Sequence, residues 1–285
     1  MNETVLYDHP GPRARRRNRM LTAVFAVGLA ALLWLIYTRF EEKEQWTAAK
    51  WAPFLEIGTW RDFILPGLAN TVLAALTAMV LALAFGVVFA VGRLSERWWV
   101  SVPAGAVIEF FRAVPLLLMI FFLAYGAPFV LHRPVPAFWS VVIGLTLYNG
   151  SVLAEAFRAG IRAVPAGQSE AGYAVGMRKG QVMRHILVPQ AARAMLPVIV
   201  SQLVVLLKDT ALGYIIAYPE LLERGVNILS ANKGNLVAAA IVVAALYIAL
   251  NSLLTSFAGW LERRTRRVGG ARVPGTGRAA AAPQG

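Results

Sequence analysis

Six apolar runs, residues 20–38, 67–92, 103–126, 137–157, 196–217 and 236–258, dominate the pattern of the chain. Each is close to the roughly 20 residues that a helix needs to cross the hydrocarbon core of a bilayer. The pattern predicts an all-α integral membrane protein with six transmembrane helices. The fourth run thins at Asn149-Gly150-Ser151. In the second, Ala74, Ala78, Ala82, Gly86 and Ala90 recur every four residues. Small residues at that spacing let helices approach closely in lipid, although an abundance of alanine gives the same pattern. The stretch between the fourth and fifth runs, 155–197, is polar yet keeps helical spacing.

Charge supplies the orientation. Lys and Arg number 28 against 15 Asp and Glu, a formal net charge of +13. With the N-terminus in the cytoplasm, 19 of the 28 fall on the cytoplasmic side and 7 outside, while Arg112 and Lys208 lie within runs. Basic residues in short loops mark the cytoplasmic face, so both termini and the 155–197 stretch are expected there. The basic balance is then a topology signal and not a nucleic-acid one. The arginines from Arg13 to Arg19 also look like the start of a secretory signal. The run that follows is long for one, and Arg39-Phe40-Glu41-Glu42 offers no small-residue cleavage site. The expected organisation is a basic cytoplasmic N-terminus (1–19), a first helix (20–38), an extracellular loop (39–66), a transmembrane domain (67–260) with a cytoplasmic loop near 158–195, and a basic, disordered tail (261–285). Trp46, Trp51 and Trp60 in the 39–66 loop read as an interfacial segment with indoles at headgroup level. A ligand or partner contact is the alternative.

Composition agrees with a membrane location. Hydrophobic residues make up 58% and charged ones 15%, with a mean hydropathy of +0.59, whereas a soluble domain carries about 25% charged residues. The absence of cysteine excludes a disulfide framework and thiolate metal sites. His9, His132 and His185 have no partners at metal-ligand spacing, so no metal site is expected. No Gly-Lys-Ser or Gly-Lys-Thr occurs, hence no P-loop. With no nucleophile–base constellation either, no catalytic residue is assigned and no cofactor is expected on this chain.

The polar stretch carries Glu170-Ala171-Gly172, then Gly176, Ile186 and Pro189. It is close to the pattern E-A-A-x3-G-x9-I-x-L-P and resembles the cytoplasmic loop by which permease subunits of ABC importers grip their ATPase. Residues 109–122, EFFRAVPLLLMIFF, resemble the E-x-x-R-G-T-P-L-L-x-Q-L-F-F stretch of polar-amino-acid ABC permeases. Residues 67–93 resemble their first core span. Residues 206–222, LLKDTALGYIIAYPELL, resemble their L-L-K-D-T-S-L-x-x-x-I-x-x-P-E-L segment. Together these cover about residues 65–260. The opening VLYDHPGPRARRRNR and the extra first helix are similar to glutamate-uptake permeases of actinobacteria. Gly172 stands where the pattern has its second alanine, Val188 where it has leucine, and Ala113-Val114 where it has Gly-Thr.

The resemblance implies a five-helix permease core plus one N-terminal helix, in a bacterial cell membrane. It implies a second permease protomer, a pair of ATPase subunits that bind the ATP, and an extracellular substrate-binding protein. No nucleic-acid partner is implied. Within the loop, Gly172 and Gly176 are expected on one helical face, allowing close approach. Pro165 is expected to open the helix, Glu170 to sit near its start where the dipole favours an acid, and Pro189 to punctuate the return to the fifth span.

Charges within the runs are the candidate substrate pathway, because intramembrane charges are costly and line cavities or pair. Glu109 and Arg112, three apart, can pair. Lys208 suits a substrate carboxylate and Asp209 an ammonium, although adjacent helical positions point apart unless the backbone unwinds. The alternative is that these charges fix helix register. The expected function is the permease of an ATP-driven importer of a polar amino acid, glutamate or aspartate first. Basic amino acids, glutamine and cystine remain open, and an ion-driven secondary transporter is the remote alternative, which should show paired halves with interrupted helices.

Overall fold

The computed structural model describes residues 11–269, and the part of the expected disordered tail beyond residue 269 lies outside them. Helices are the only regular secondary structure among the described residues, with no strand. Helix α1 is Pro12–Glu42, opened by a proline that supplies no N–H. Helices α2 (Ile57–Arg93), α3 (Trp98–Ala113), α4 (Leu116–Leu131) and α5 (Ala137–Arg162) follow. A short helix α6 (Ala166–Ala174) leads to α7 (Lys179–Ile216) and α8 (Leu236–Gly269). Two ends of the bundle result. The basic end carries the turn 94–97 and the segment 163–178 with α6, and the far end carries 43–56, 132–136 and 217–235.

Five of the expected spans are single long apolar helices. The third is not. Residues 103–126 belong to two helices, α3 and α4, bent by 96°. The cause is local. Val114 precedes Pro115, and the proline ring disfavours helical geometry at the residue before it; Val114 is accordingly extended, with φ −77° and ψ 126°. The fifth span also departs from expectation. Pro189 does not interrupt it, because a π-helical turn, Met183–Leu187, precedes the proline and the helix runs on. Wide turns of this kind absorb the groups that a proline leaves unbonded.

The core forms where α2 packs along α5. Ala74, Ala78, Ala82, Gly86 and Ala90 are all buried there, so the four-residue spacing is a packing stripe. A Cβ on Gly86 would lie 3.0 Å from Leu153 Cβ, which shows how close the backbones come. The polar interruption of the fourth run faces inward too: Asn149, Gly150 and Ser151 are buried. Asn149 accepts a hydrogen bond from Gln202 of α7, and Ser151 donates to the Leu147 carbonyl. A buried span can carry such residues because neighbours satisfy them. A second cluster, Ile64, Leu221, Leu229, Ala239 and Val243, closes the far end. Helix α1 stands apart, with no buried residue.

A candidate coupling surface and a candidate transport pocket

Pro165 sits at the N-cap of α6 as the sequence predicts. The rest of the motif divides into two jobs. Gly172 is buried: a Cβ there would lie 2.8 Å from Ile186 Cδ1 and 2.9 Å from a Val182 methyl. Gly172 and Ile186 therefore hold α6 against the start of α7. Gly176 lies past the helix end with φ +81°, a conformation that suits glycine. Its N–H donates to the Tyr173 carbonyl and that of Met177 to the Gly172 carbonyl, closing the helix with a Schellman turn. The two glycines thus do not share an exposed face, because the helix stops at Ala174. Glu170 is the fifth residue of α6, beyond the first turn. The outward surface consists of Glu170, Ala171, Tyr173 and Val175, all exposed, and Pro189 is exposed beside it. The Arg178 N–H donates to Gln181 Oε1 at 2.8 Å, a cap that restarts the chain as α7. Lys179 makes an ion pair with Glu96 in the turn between α2 and α3.

Glu109 and Arg112 do not pair. Glu109 meets Arg93 of α2 at 3.3 Å, and Arg93 also reaches Glu155 of α5 at 3.6 Å. Arg158 closes the chain of charges on Glu155 at 2.6 Å, and Arg112 lies within electrostatic reach of the same carboxylate. Gly105 makes this possible, since a Cβ there would overlap the Arg93 guanidinium. Five charges from three helices thus meet at the basic end. Only the Glu155–Arg158 spacing is legible locally; Arg93 and Glu109 come from different helices.

Lys208 is exposed on the wall of a cavity of about 610 Å³ between α7 and α8. Val243, Ala244, Tyr247, Asn251 and Ser252 line its other side. Asp209 is half-buried and does not line it. The α-helix gives way to a 3-10 helix at Thr210, just after the two charges, so unwinding comes too late to bring them together. Asn251 donates to the Tyr247 carbonyl at 2.7 Å, while its own Oδ1 is buried without a partner among the described residues. The cavity therefore offers an ammonium and a largely apolar wall. That combination fits a small zwitterion with a carboxylate.

Glu220, which the sequence reading missed, binds two residues of the cavity lining, Leu222 and Tyr247. It is fully buried and accepts from the Leu222 and Glu223 N–H groups at 2.8 Å and from the Tyr247 hydroxyl at 2.7 Å. Burial pushes its carboxyl above the usual carboxylate range, and the three donors pull the other way. The turn 217–221 is pinned to α2: Asn70 donates to the Pro219 carbonyl, the Tyr218 hydroxyl to the Asn70 carbonyl, and the Leu221 N–H to Thr71 Oγ1. Pro219-Glu220-Leu221, within the 206–222 motif, is the sequence signal for this contact.

Residues 82–267 match the profile of the binding-protein-dependent transport system inner membrane component family. The chain is 46% identical over 230 residues to the glutamate transport system permease protein GluD of Corynebacterium glutamicum, covering 78% of this chain and 82% of that one. It is 32% identical to the octopine transport system permease protein OccM of Rhizobium radiobacter (76% and 94% covered). It is 30% identical to the arginine transport system permease protein ArtQ of Bacillus subtilis (72% and 93% covered). Among solved structures, an amino acid ABC transporter crystallised with histidines superposes with a TM-score of 0.69 at 27% identity, covering 74% of this chain and 98% of that one. The MetNI methionine ABC transporter shares the fold, with a TM-score of 0.59 at 18% identity over 73% and 97% of the two chains.

Proposed function

Because the chain belongs to the binding-protein-dependent transport system inner membrane components, as an amino-acid permease of the ABC type, we propose that it is the translocation subunit of an ATP-driven importer of glutamate or aspartate. The observation that carries this reading is the similarity to a glutamate permease across most of both chains. The cavity at Lys208 supports it with a cation for a carboxylate. The basic end faces the cytoplasm, where the arginine excess lies. There the exposed face of α6 seats in a groove of a separate ATPase. Gly172, Gly176 and Ile186 shape that face from behind, and Glu170 is its charge for a basic residue of the ATPase. A second permease protomer completes the path, and an extracellular binding protein delivers the substrate to the far end.

Uptake of labelled glutamate by cells expressing the chain with its ATPase and binding protein tests this reading. Unlabelled aspartate should compete and arginine should not. Competition by arginine, with none by aspartate, overturns the substrate assignment while leaving the family intact.

A further inference from the structure

We propose that the start of α1 is a binding site for an anionic phospholipid, with the phosphate held by Arg13, Arg16 and Arg17 and an acyl chain laid along Met20, Leu21 and Val24. These six residues line a shallow, open groove along one face of the helix, walled by the arginine stems and the apolar side chains. They recur at helical spacing, so one face of the helix changes from guanidinium to hydrocarbon within three turns. No Asp or Glu occurs from Arg13 to Thr38, so nothing within this helix neutralises the arginine face before the far end. Met20, Leu21 and Val24 are well exposed, and no residue of α1 is buried.

The length of the helix sets the level of the groove. At the far end, Trp46 stacks on Tyr37 at 5.9 Å and donates to its carbonyl, and Trp34 stacks on Tyr37 at 6.0 Å. Tryptophan and tyrosine settle at the headgroup level. Arg17 lies 20 residues before Tyr37, roughly 30 Å along the helix. That matches the roughly 30 Å hydrocarbon thickness of a bilayer. With the aromatic group at one interface, the arginines fall at the phosphates of the other. Trp46 ties the far end of α1 to the 43–56 loop, stacking on Trp51 as well. A lipid phosphate, multiply hydrogen-bonded by guanidinium groups, holds the other. The inference does not depend on the transported substrate.

Native mass spectrometry of the full chain, titrated in detergent with phosphatidylglycerol and separately with phosphatidylcholine, tests the site. Each arginine near a lipid surface contributes roughly fivefold in binding. The first phosphatidylglycerol should therefore bind at least fivefold more tightly than phosphatidylcholine. The triple substitution R13Q/R16Q/R17Q should abolish the preference. R19Q/R162Q/R193Q, which removes the same charge away from the groove, should preserve it. Inorganic phosphate at millimolar concentration should not displace the lipid. No preference in the unaltered chain, equal loss in both triple variants, or displacement by inorganic phosphate each overturns the proposal.

Discussion

Gly172 and Glu170 sit two residues apart in α6 and make opposite demands. Gly172 is buried on Val182 and Ile186, so Gly172→Val forces α6 away from α7. Overpacking of this kind costs about 1–3 kcal/mol, and it should lower both the thermal stability of the purified chain and its capture of the ATPase. Glu170 is exposed. Glu170→Ala should leave the melting temperature unchanged and weaken ATPase capture alone. A pull-down at matched membrane abundance, beside a thermal melt, separates the two, and equal loss of stability in both variants would count against the division of the motif. Lys208 makes a third demand. Lys208→Ala should raise the KM for glutamate uptake tenfold or more, a change of about 1.4 kcal/mol, with assembly intact. Unchanged kinetics would move the carboxylate contact elsewhere in the path.

At the scale of elements, Arg93 joins α2 to α3 and α5 through Glu109 and Glu155. About a quarter of its side chain meets solvent, 28% by accessible area, so the pairs are only partly desolvated. Arg93→Ala should cost about 1.5–3 kcal/mol, the range for hydrogen bonds to charged groups. A thermal melt should show a fall that Arg93→Lys restores in part; a silent Arg93→Ala would mean that the cluster is solvated in practice. This link could not be read from the sequence, since spacing along one helix finds Glu109 with Arg112 but cannot find a partner on another helix. The bend at Val114-Pro115 left a signal, the proline, yet an average of hydropathy over 24 residues (103–126) ignores backbone geometry. The glycine pair misled for a related reason. Four-residue spacing implies one face only while the helix lasts, and Gly176 falls two residues beyond its end. What was legible were the features that depend on long averages: five apolar helices, the alanine stripe of α2, and α6 within the polar stretch.

On the scale of the whole molecule, the bundle has a charge-rich basic end carrying α6 and a far end closed by the 217–221 turn and the 43–56 loop. Lys50 donates to the Gly234 carbonyl, Asn235 donates to the Lys50 carbonyl, and Lys233 pairs with Glu56 at 3.0 Å. The Trp-containing loop is therefore a strap between α1 and the 217–235 segment. Because the chain has no cysteine, single introduced thiols report topology cleanly. Arg133→Cys should react with a membrane-impermeant maleimide on intact cells, and Gln168→Cys only after permeabilisation; the reverse pattern would invert the orientation.

The most direct test of the central claim is glutamate accumulation in sealed vesicles that hold the chain and its ATPase subunits, with loaded binding protein outside. Accumulation should run against a gradient, require hydrolysable ATP on the side of α6, survive protonophores, and fall with Glu170→Ala. Accumulation that ignores ATP and collapses when ion gradients are dissipated would contradict the claim.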